Sequence, residues 1–321
     1  MNHARPSTAA SPGRGVRLLV LAIKIVLGVS VAIYAAIMVS PSPKPRLALL
    51  GALHRTGGCS FAETLDSADY ERDLEAVRDR FRGASRIVQR DRDLDLVDTP
   101  AGRWWVNHGD RSLTFLLSEQ QHQIYGTGIE GVQKGDVVLD CGANVGVFTR
   151  TALNRGARLV IAIEIAPPTI ECLRRNFSEE ISHGRVVIYP KGVWNRPDLL
   201  EMSFVDPSNA GENSVVLGRQ VSNKIRVPVT TIDLIAAELN LDRVDFIKMD
   251  IEGAEAKALQ GGQATIRHFR PRMAISCEHL PSDVKEIPQV VNTIQPGYQV
   301  RASDCYDFFS RVRPAVFHFR Y

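Results

Sequence analysis

Residues 137–150, VVLDCGANVGVFTR, decide how the rest of the chain is read. An apolar run ends at Asp140, the chain turns through Gly142, Asn144 and Gly146, and an apolar-periodic segment follows, which is the pattern of strand, tight turn and helix. Glycines at such a turn permit positive φ and close approach of backbone to a ligand, and the free amides at a helix start favour electron-rich groups. The turn reads D-x-G-x-N-x-G, whereas the dinucleotide fingerprint G-x-G-x-x-G has its first glycine where this chain has Asp140. An acid there would repel a pyrophosphate and would suit a cofactor end that carries a cationic amine. The plainer alternative is that Asp140 caps the following helix and the glycines only make a turn.

Residues 159–165, LVIAIEI, form a second apolar strand ending at Glu164, about twenty residues past the turn, where an acid accepts hydrogen bonds from ribose hydroxyls. Two acids then flank one cofactor site, and S-adenosylmethionine, with an amine at one end and a ribose in the middle, meets both requirements.

Three blocks carry a resemblance to a known family: VVLDCGANVGVFT with IAIEIAPPTIECLRRNF after it, VPVTTIDLI, and VDFIKMDIEGAEAKALQGG. They resemble the FkbM-type S-adenosylmethionine-dependent methyltransferases over residues 113–315. The most specific block is K-x-D-x-E-G-A-E, matched by Lys248, Asp250, Glu252, Gly253, Ala254 and Glu255. Cys141 stands where the family more often has a small aliphatic residue, and Ala166-Pro167-Pro168 replaces the usual E-P. The resemblance implies a Rossmann-like class I methyltransferase fold, an α/β architecture with a mostly parallel sheet and helices on both faces. It also implies S-adenosylmethionine as methyl donor and a hydroxyl on a sugar, glycolipid or other small molecule as acceptor. By resemblance, Asp140, Gly142, Asn144 and Gly146 hold the methionine end, Glu164 takes the ribose, and Gly192 with Val193 lies near the adenine. Asp250 then faces the transferable methyl.

Alternating apolar runs and helical patterns support a parallel sheet. Strands are expected at 137–139, 159–163, 186–189, 246–249 and 273–277, with late ones at 298–301 and 316–319. Helices are expected at 147–154, 169–176, 231–239 and 255–264. Ligands on such sheets sit at the carboxyl ends of the strands, where Asp140, Glu164, Lys191, Gly192, Asp250 and Glu278 all fall. Asp250, Glu252, Glu278 and His279 are the candidates for a base that deprotonates an acceptor hydroxyl, since crowded carboxylates acquire raised pKa values. His279 has an equal structural reading, and Glu252 and Glu255 an alternative one as anchors of the next helix. Asp250, Glu252 and Glu278 also form an oxygen-only set compatible with magnesium or manganese, although no metal is assigned.

At 321 residues and 44% hydrophobic content the chain can bury a full core, and a net charge of +3 is too small to argue for nucleic acid as target. The five cysteines are odd in number and show no C-x-x-C spacing, which argues against a zinc site and a disulfide framework and for a reducing compartment. Cys141 reads as a small buried residue.

Residues 18–39 are apolar except for Lys24, Ser30 and Tyr34, and at 1.5 Å per residue they can cross a hydrocarbon layer of about 30 Å. A single membrane helix is expected, with a cleaved signal peptide as the rival. Residues 1–17 read as disordered, 40–60 as a linker stiffened by Pro41, Pro43 and Pro45, 61–127 as a helix and hairpin preamble, and 128–321 as the methyltransferase domain. Within the preamble a helix is expected over 69–81 and a hairpin over 94–97 and 103–106, whose Trp104 and Trp105 read as core or as acceptor contacts. Flanking charges do not settle orientation, and cofactor supply with unpaired cysteines points to a cytoplasmic catalytic domain. The competing functions are a non-catalytic membrane-bound scaffold and a nicotinamide-dependent oxidoreductase.

Overall fold

A computed structural model describes residues 14–203, 224–308 and 311–321. The expected disorder over 1–17 falls mostly outside them. Helix α1 (Arg14–Met38) is followed by α2 (Lys44–Ala52), α3 (Phe61–Ala84), an antiparallel sheet of β1 (Arg86–Asp91), β2 (Leu94–Thr99) and β3 (Gly102–Asn107), and α4 (Leu113–Gln121). The expected hairpin is β2–β3, and β1 adds a strand that its exposed residues do not announce. The expected linker contains a helix, because Pro45 sits in the first turn of α2, where a missing N–H is harmless, and Leu47 is fully buried. Helix α3 starts from a capping box, in which Ser60 Oγ accepts from the Glu63 amide at 3.2 Å and the Ser60 amide donates to Glu63 at 2.7 Å.

The larger part runs β4 (Val137–Cys141), α5 (Val147–Asn154), β5 (Leu159–Ile163), α6 (Pro167–Asn176), α7 (Ser178–Ser182), β6 (Val186–Tyr189), β7 (Gly192–Val193), β8 (Asp198–Ser203) and β9 (Lys224–Thr230). It continues with α8 (Ile232–Glu238), β10 (Phe246–Met249), α9 (Glu255–Gln260), α10 (Gln263–Phe269), β11 (Arg272–Ser276), α11 (Asp283–Ile294), β12 (Gln299–Ala302), β13 (Cys305–Phe308), β14 (Arg311–Pro314) and β15 (Val316–Arg320). Seven strands form one sheet in the order β12-β15-β11-β10-β4-β5-β6, in which β15 alone runs antiparallel to its neighbours. The order reverses between β4 and β10, and the cleft at that switch lies over the strands' carboxyl ends.

Alternate residues divide the core, as a pleated strand buried on both faces requires. Val138, Val160, Phe246 and Ala274 pack with Phe148 and with Leu94, Trp104 and Leu117 of the preamble on one face. Leu139, Ile161, Ile247 and Ile275 pack with Ile235, Leu259 and Ile287 on the other. The preamble therefore shares one apolar core with the sheet. Asn176 fixes it further, since its Oδ1 accepts from the Trp105 amide at 2.7 Å and its Nδ2 donates to the Trp105 carbonyl at 3.0 Å.

Two expectations require correction. The helix expected over 255–264 breaks at Gly261-Gly262, where the backbone passes so close to the Trp194 carbonyl oxygen that a Cβ on Gly261 would lie 2.1 Å from it. The absence of a disulfide is also overturned: Cys59 and Cys305 are bonded across 246 residues, while Cys141, Cys172 and Cys277 are free and buried. No local spacing marks a pair so far apart. The bridge lies in a small apolar cluster with Leu47, Ala68 and Val312, beside an Arg46–Asp307 ion pair, and staples the N-terminal helices to the β13–β14 hairpin. Residues Leu18–Met38 of α1 are long and apolar enough to cross a membrane and bury nothing against the protein.

Candidate active site

The turn after β4 is built by close contact. Gly142 has φ +80°, and a Cβ there would sit 1.9 Å from the Asp250 carbonyl oxygen, so no other residue fits without moving the next strand. The Gly142 and Ala143 amides donate to the Ile163 carbonyl at 3.0 Å each, and Lys248 Nζ donates to the Gly142 carbonyl at 2.7 Å. Three parallel strands thus hold one loop.

Asp140 takes a different place from the one expected. It is fully buried beneath the turn, where its Oδ2 accepts from Thr149 Oγ1 at 2.6 Å and its Oδ1 lies 3.4 Å from Lys248 Nζ. Its carboxylate therefore does not line the cavity and acts on the turn through Lys248 and Thr149. Gly146, at φ +96°, caps α5 and faces Phe177, whose ring a Cβ would meet at 2.1 Å. It also lies away from the cavity.

Gly142, Asn144, Glu164, Gly192 and Val193 do line a single cavity of 1630 Å³. Glu164 Oε2 accepts from the Asn144 amide at 2.9 Å, and Oε1 accepts from Ile165 and Ala166 at 2.7 and 2.8 Å. Burial raises its pKa against the pull of these amides.

Asp250, Glu252, Glu278 and His279 line the same cavity, on turns that follow β10 and β11. His279 Nε2 lies 3.4 Å from Asp250 and 3.8 Å from Glu252, and Nδ1 lies 3.1 Å from Glu255 Oε1. Burial pulls the imidazole pKa down, but Glu255, Asp250 and Glu252 together raise it well above its ordinary value, which favours the protonated ring. Burial pushes Asp250 up, yet Lys248 and His279, with a hydrogen bond from Tyr125, hold it below the usual carboxylate range. Glu252 rises to about 8 and Glu278 to about 7, each chiefly through burial, with neighbouring carboxylates adding to it. Lys248, buried between Asp140 and Asp250, is pulled down by burial and raised more by those two acids.

One ligand atom each from Asp250, Glu252 and His279 lies within 4.8 Å of the others, so the cation-type cluster contains His279 where the sequence suggested Glu278. Two further residues escaped sequence reading. Tyr125 Oη donates to Asp250 Oδ2 at 2.7 Å, and Glu119 of α4 is buried beside Glu278 and Asp250, with its pKa raised well above normal mainly by burial. Both belong to the preamble, where no local motif marks them. Trp104 is core and Trp105 carries Arg175 over its ring at 4.7 Å, so neither lines the cavity.

Comparison with known proteins follows this geometry. No curated protein matches the chain. A crystal structure of methyltransferase FkbM from Methylobacillus flagellatus KT is similar at 16% identity and a TM-score of 0.44, covering 79% of this chain and 60% of that one. Precorrin 8w decarboxylase from Methanobacterium thermoautotrophicum is similar at 15% identity and a TM-score of 0.36, covering 63% and 89%. Aeropyrum pernix fibrillarin, solved with natively bound S-adenosyl-L-methionine, is similar at 12% identity and a TM-score of 0.38, covering 74% and 98%. This chain therefore spans 60% of the length of the Methylobacillus protein. The family model for the methyltransferase FkbM domain matches residues 140–300, about half of the chain and all of the strand-end residues described above. The chain belongs to the FkbM methyltransferase domain family.

Proposed function

We propose that this protein is an S-adenosylmethionine-dependent methyltransferase that methylates a hydroxyl of a small-molecule or glycan acceptor and is tethered to a membrane by α1. The observation that carries the reading is one cavity shared by the glycine turn, Glu164 and the acid cluster. At 1630 Å³ it exceeds the roughly 300–1,000 Å³ of an ordinary ligand pocket, which leaves room for a cofactor and an acceptor together.

The residues suit the cofactor. Gly142 and Gly192 keep the walls open, since a Cβ on Gly192 would meet Ile165 at 2.6 Å. Glu164 Oε2 accepts only one amide and retains capacity for ribose hydroxyls. When bound, S-adenosylmethionine supplies an electrophilic methyl on a sulfonium. The chain aligns the acceptor, excludes water and removes a proton.

For that last step Glu278 is the best placed of the four acids and bases. Its pKa of about 7 leaves it partly ionised at neutral pH and able to hold the hydroxyl proton afterwards. Glu252, at about 8, is mostly protonated there. Asp250 is engaged by Tyr125, and the carboxylates around His279 favour its protonated form, so both position the cluster. A Glu278→Gln variant should bind S-adenosylmethionine as wild type does and lose at least a hundredfold in methyl transfer, assayed with labelled donor and an acceptor panel read by mass spectrometry. Equal turnover would remove Glu278 from this role, and nicotinamide binding in place of S-adenosylmethionine would overturn the methyltransferase reading.

The expectation of a cytoplasmic catalytic domain rests on cofactor supply and on unpaired cysteines, of which Cys141, Cys172 and Cys277 are free. The Cys59–Cys305 bridge weakens the second of these and favours a compartment that sustains disulfides, while cofactor supply still favours the cytoplasm.

A further inference from the structure

His279 stands between two sets of acids, and its ring nitrogens face different ones. Nδ1 lies 3.1 Å from Oε1 of Glu255, which does not line the cavity and is itself held by the Ile251 amide at 2.9 Å. Nε2 faces the cavity floor, 3.4 Å from Asp250 Oδ1 and 3.8 Å from Glu252 Oε1. Neither nitrogen makes a hydrogen bond of good geometry among the described residues, although the side chain is only 9% exposed. An imidazolium in an ordinary ion pair would point an N–H at one oxygen. A nine-tenths-buried ring that aims Nε2 between two carboxylates instead calls for a positive group where the three meet.

The outer atoms of this set are engaged in the way that supports metal ligands. Asp250 Oδ2 accepts from Tyr125 Oη at 2.7 Å, which leaves Oδ1 toward Nε2. Glu255 backs the imidazole, the carboxylate–histidine relay that fixes ring and tautomer beside a metal. Metal bonds of about 2.1 Å meeting at about 90–110° set ligand atoms about 3.0–3.5 Å apart. The 3.4 Å separation is such an edge, and the 3.8 Å one shortens to it with a small rotation of Glu252. Charge agrees. Glu119, Glu255 and Glu278 add carboxyls around the triad, whereas Lys248 Nζ is engaged by Asp140 and the Gly142 carbonyl, and Arg313 by the Leu280 carbonyl. The acids that favour a proton on His279 favour a metal ion in its place.

We propose that Asp250, Glu252 and His279 bind one divalent cation of the manganese class at the floor of the cavity. One imidazole nitrogen with two carboxylate oxygens suits manganese better than calcium, which prefers an all-oxygen shell. The role of the ion rests on the methyltransferase reading above. Its open side faces the cavity, where it takes the acceptor's hydroxyl oxygen as a ligand and lowers the pKa of that hydroxyl. The proton passes to the Glu278 carboxylate. The oxygen then bonds to the methyl carbon as the carbon–sulfur bond breaks, and the sulfonium becomes the thioether of S-adenosylhomocysteine.

The test is electron paramagnetic resonance of the full, untagged chain in detergent, stripped with chelator and titrated with manganese(II) in the absence of cofactor. One ion per chain should bind, and its spin echo should carry modulation from a directly bound nitrogen that changes when the histidines are labelled with heavy nitrogen. Calcium should compete at least tenfold more weakly. His279→Gln should lose the nitrogen modulation, and it and Glu252→Gln should each lose about tenfold or more in manganese affinity. Glu278→Gln should keep the modulation, which separates this donor set from the oxygen-only one. The wild-type nitrogen signal needs no variant, so it decides the matter even where His279→Gln fails to fold. No stoichiometric manganese, an ion with oxygen ligands alone, calcium bound as tightly, or undiminished affinity in both variants would overturn the site. Manganese bound by a chain that fails to bind S-adenosylmethionine would keep the site and discard the methyltransferase reading; S-adenosylmethionine bound without manganese would do the reverse.

Discussion

The phenol of Tyr125 donates to Oδ2 of Asp250 at 2.7 Å, joining the preamble to the K-x-D-x-E-G-A-E turn at the floor of the cavity. That bond makes the N-terminal segment part of the site. Burial and the Asp250 charge raise the Tyr125 pKa well above its ordinary value, so the phenol remains a donor at working pH. Tyr125→Phe should therefore free Asp250, costing about 1 kcal/mol of stability and reducing methyl transfer several-fold with S-adenosylmethionine affinity unchanged. Thermal melts and donor-binding isotherms on the same preparation measure both effects.

Gly142 tolerates no side chain. The 1.9 Å approach of a Cβ to the Asp250 carbonyl, added to the positive φ, should make Gly142→Ala destabilising by about 3 kcal/mol or more and abolish donor binding. Chemical denaturation measures the first effect and calorimetry the second.

The acid cluster sets the pH response. Methyl transfer should rise through a limb near pH 7 as Glu278 ionises, and Glu278→Gln should remove that limb. Stability moves the other way. Glu252 and Glu278 titrate higher in the folded chain than in the unfolded one, so the folded state binds more protons between about pH 4.5 and 8. Their contribution is complete below that window and is lost as pH rises through it. Denaturation midpoints across the range check the sign.

The Cys59–Cys305 bond ties the segment between α2 and α3 to β13. The Cys59→Ser, Cys305→Ser double variant should lose about 2–4 kcal/mol, and the native protein isolated without reductant should resist thiol-alkylating reagents at these two positions until reduced. Immediate alkylation would favour a reducing compartment.

Much of this arrangement was legible in the sequence because it depends on local periodicity. The strands at 159–163, 186–189 and 246–249 match their observed bounds, since buried parallel strands are short apolar runs between turn residues. Gly142, Asn144, Glu164 and Asp250 were readable because backbone sterics and strand-end position restrict those sites to few residue types. What escaped depends on contacts distant in sequence. Tyr125 and Asp250 are 125 positions apart and the two bridged cysteines 246. Asp140 was expected to hold the methionine end of the cofactor, and its burial under Lys248 could not be read from spacing, because the lysine arrives from another strand.

Titration of the wild-type chain and Glu164→Ala with S-adenosylmethionine tests the cofactor assignment most directly. Saturable one-to-one binding in the wild type, weakened at least tenfold in Glu164→Ala with the fold intact, is the predicted result. No binding by the wild type, or equal binding by the variant, would contradict it.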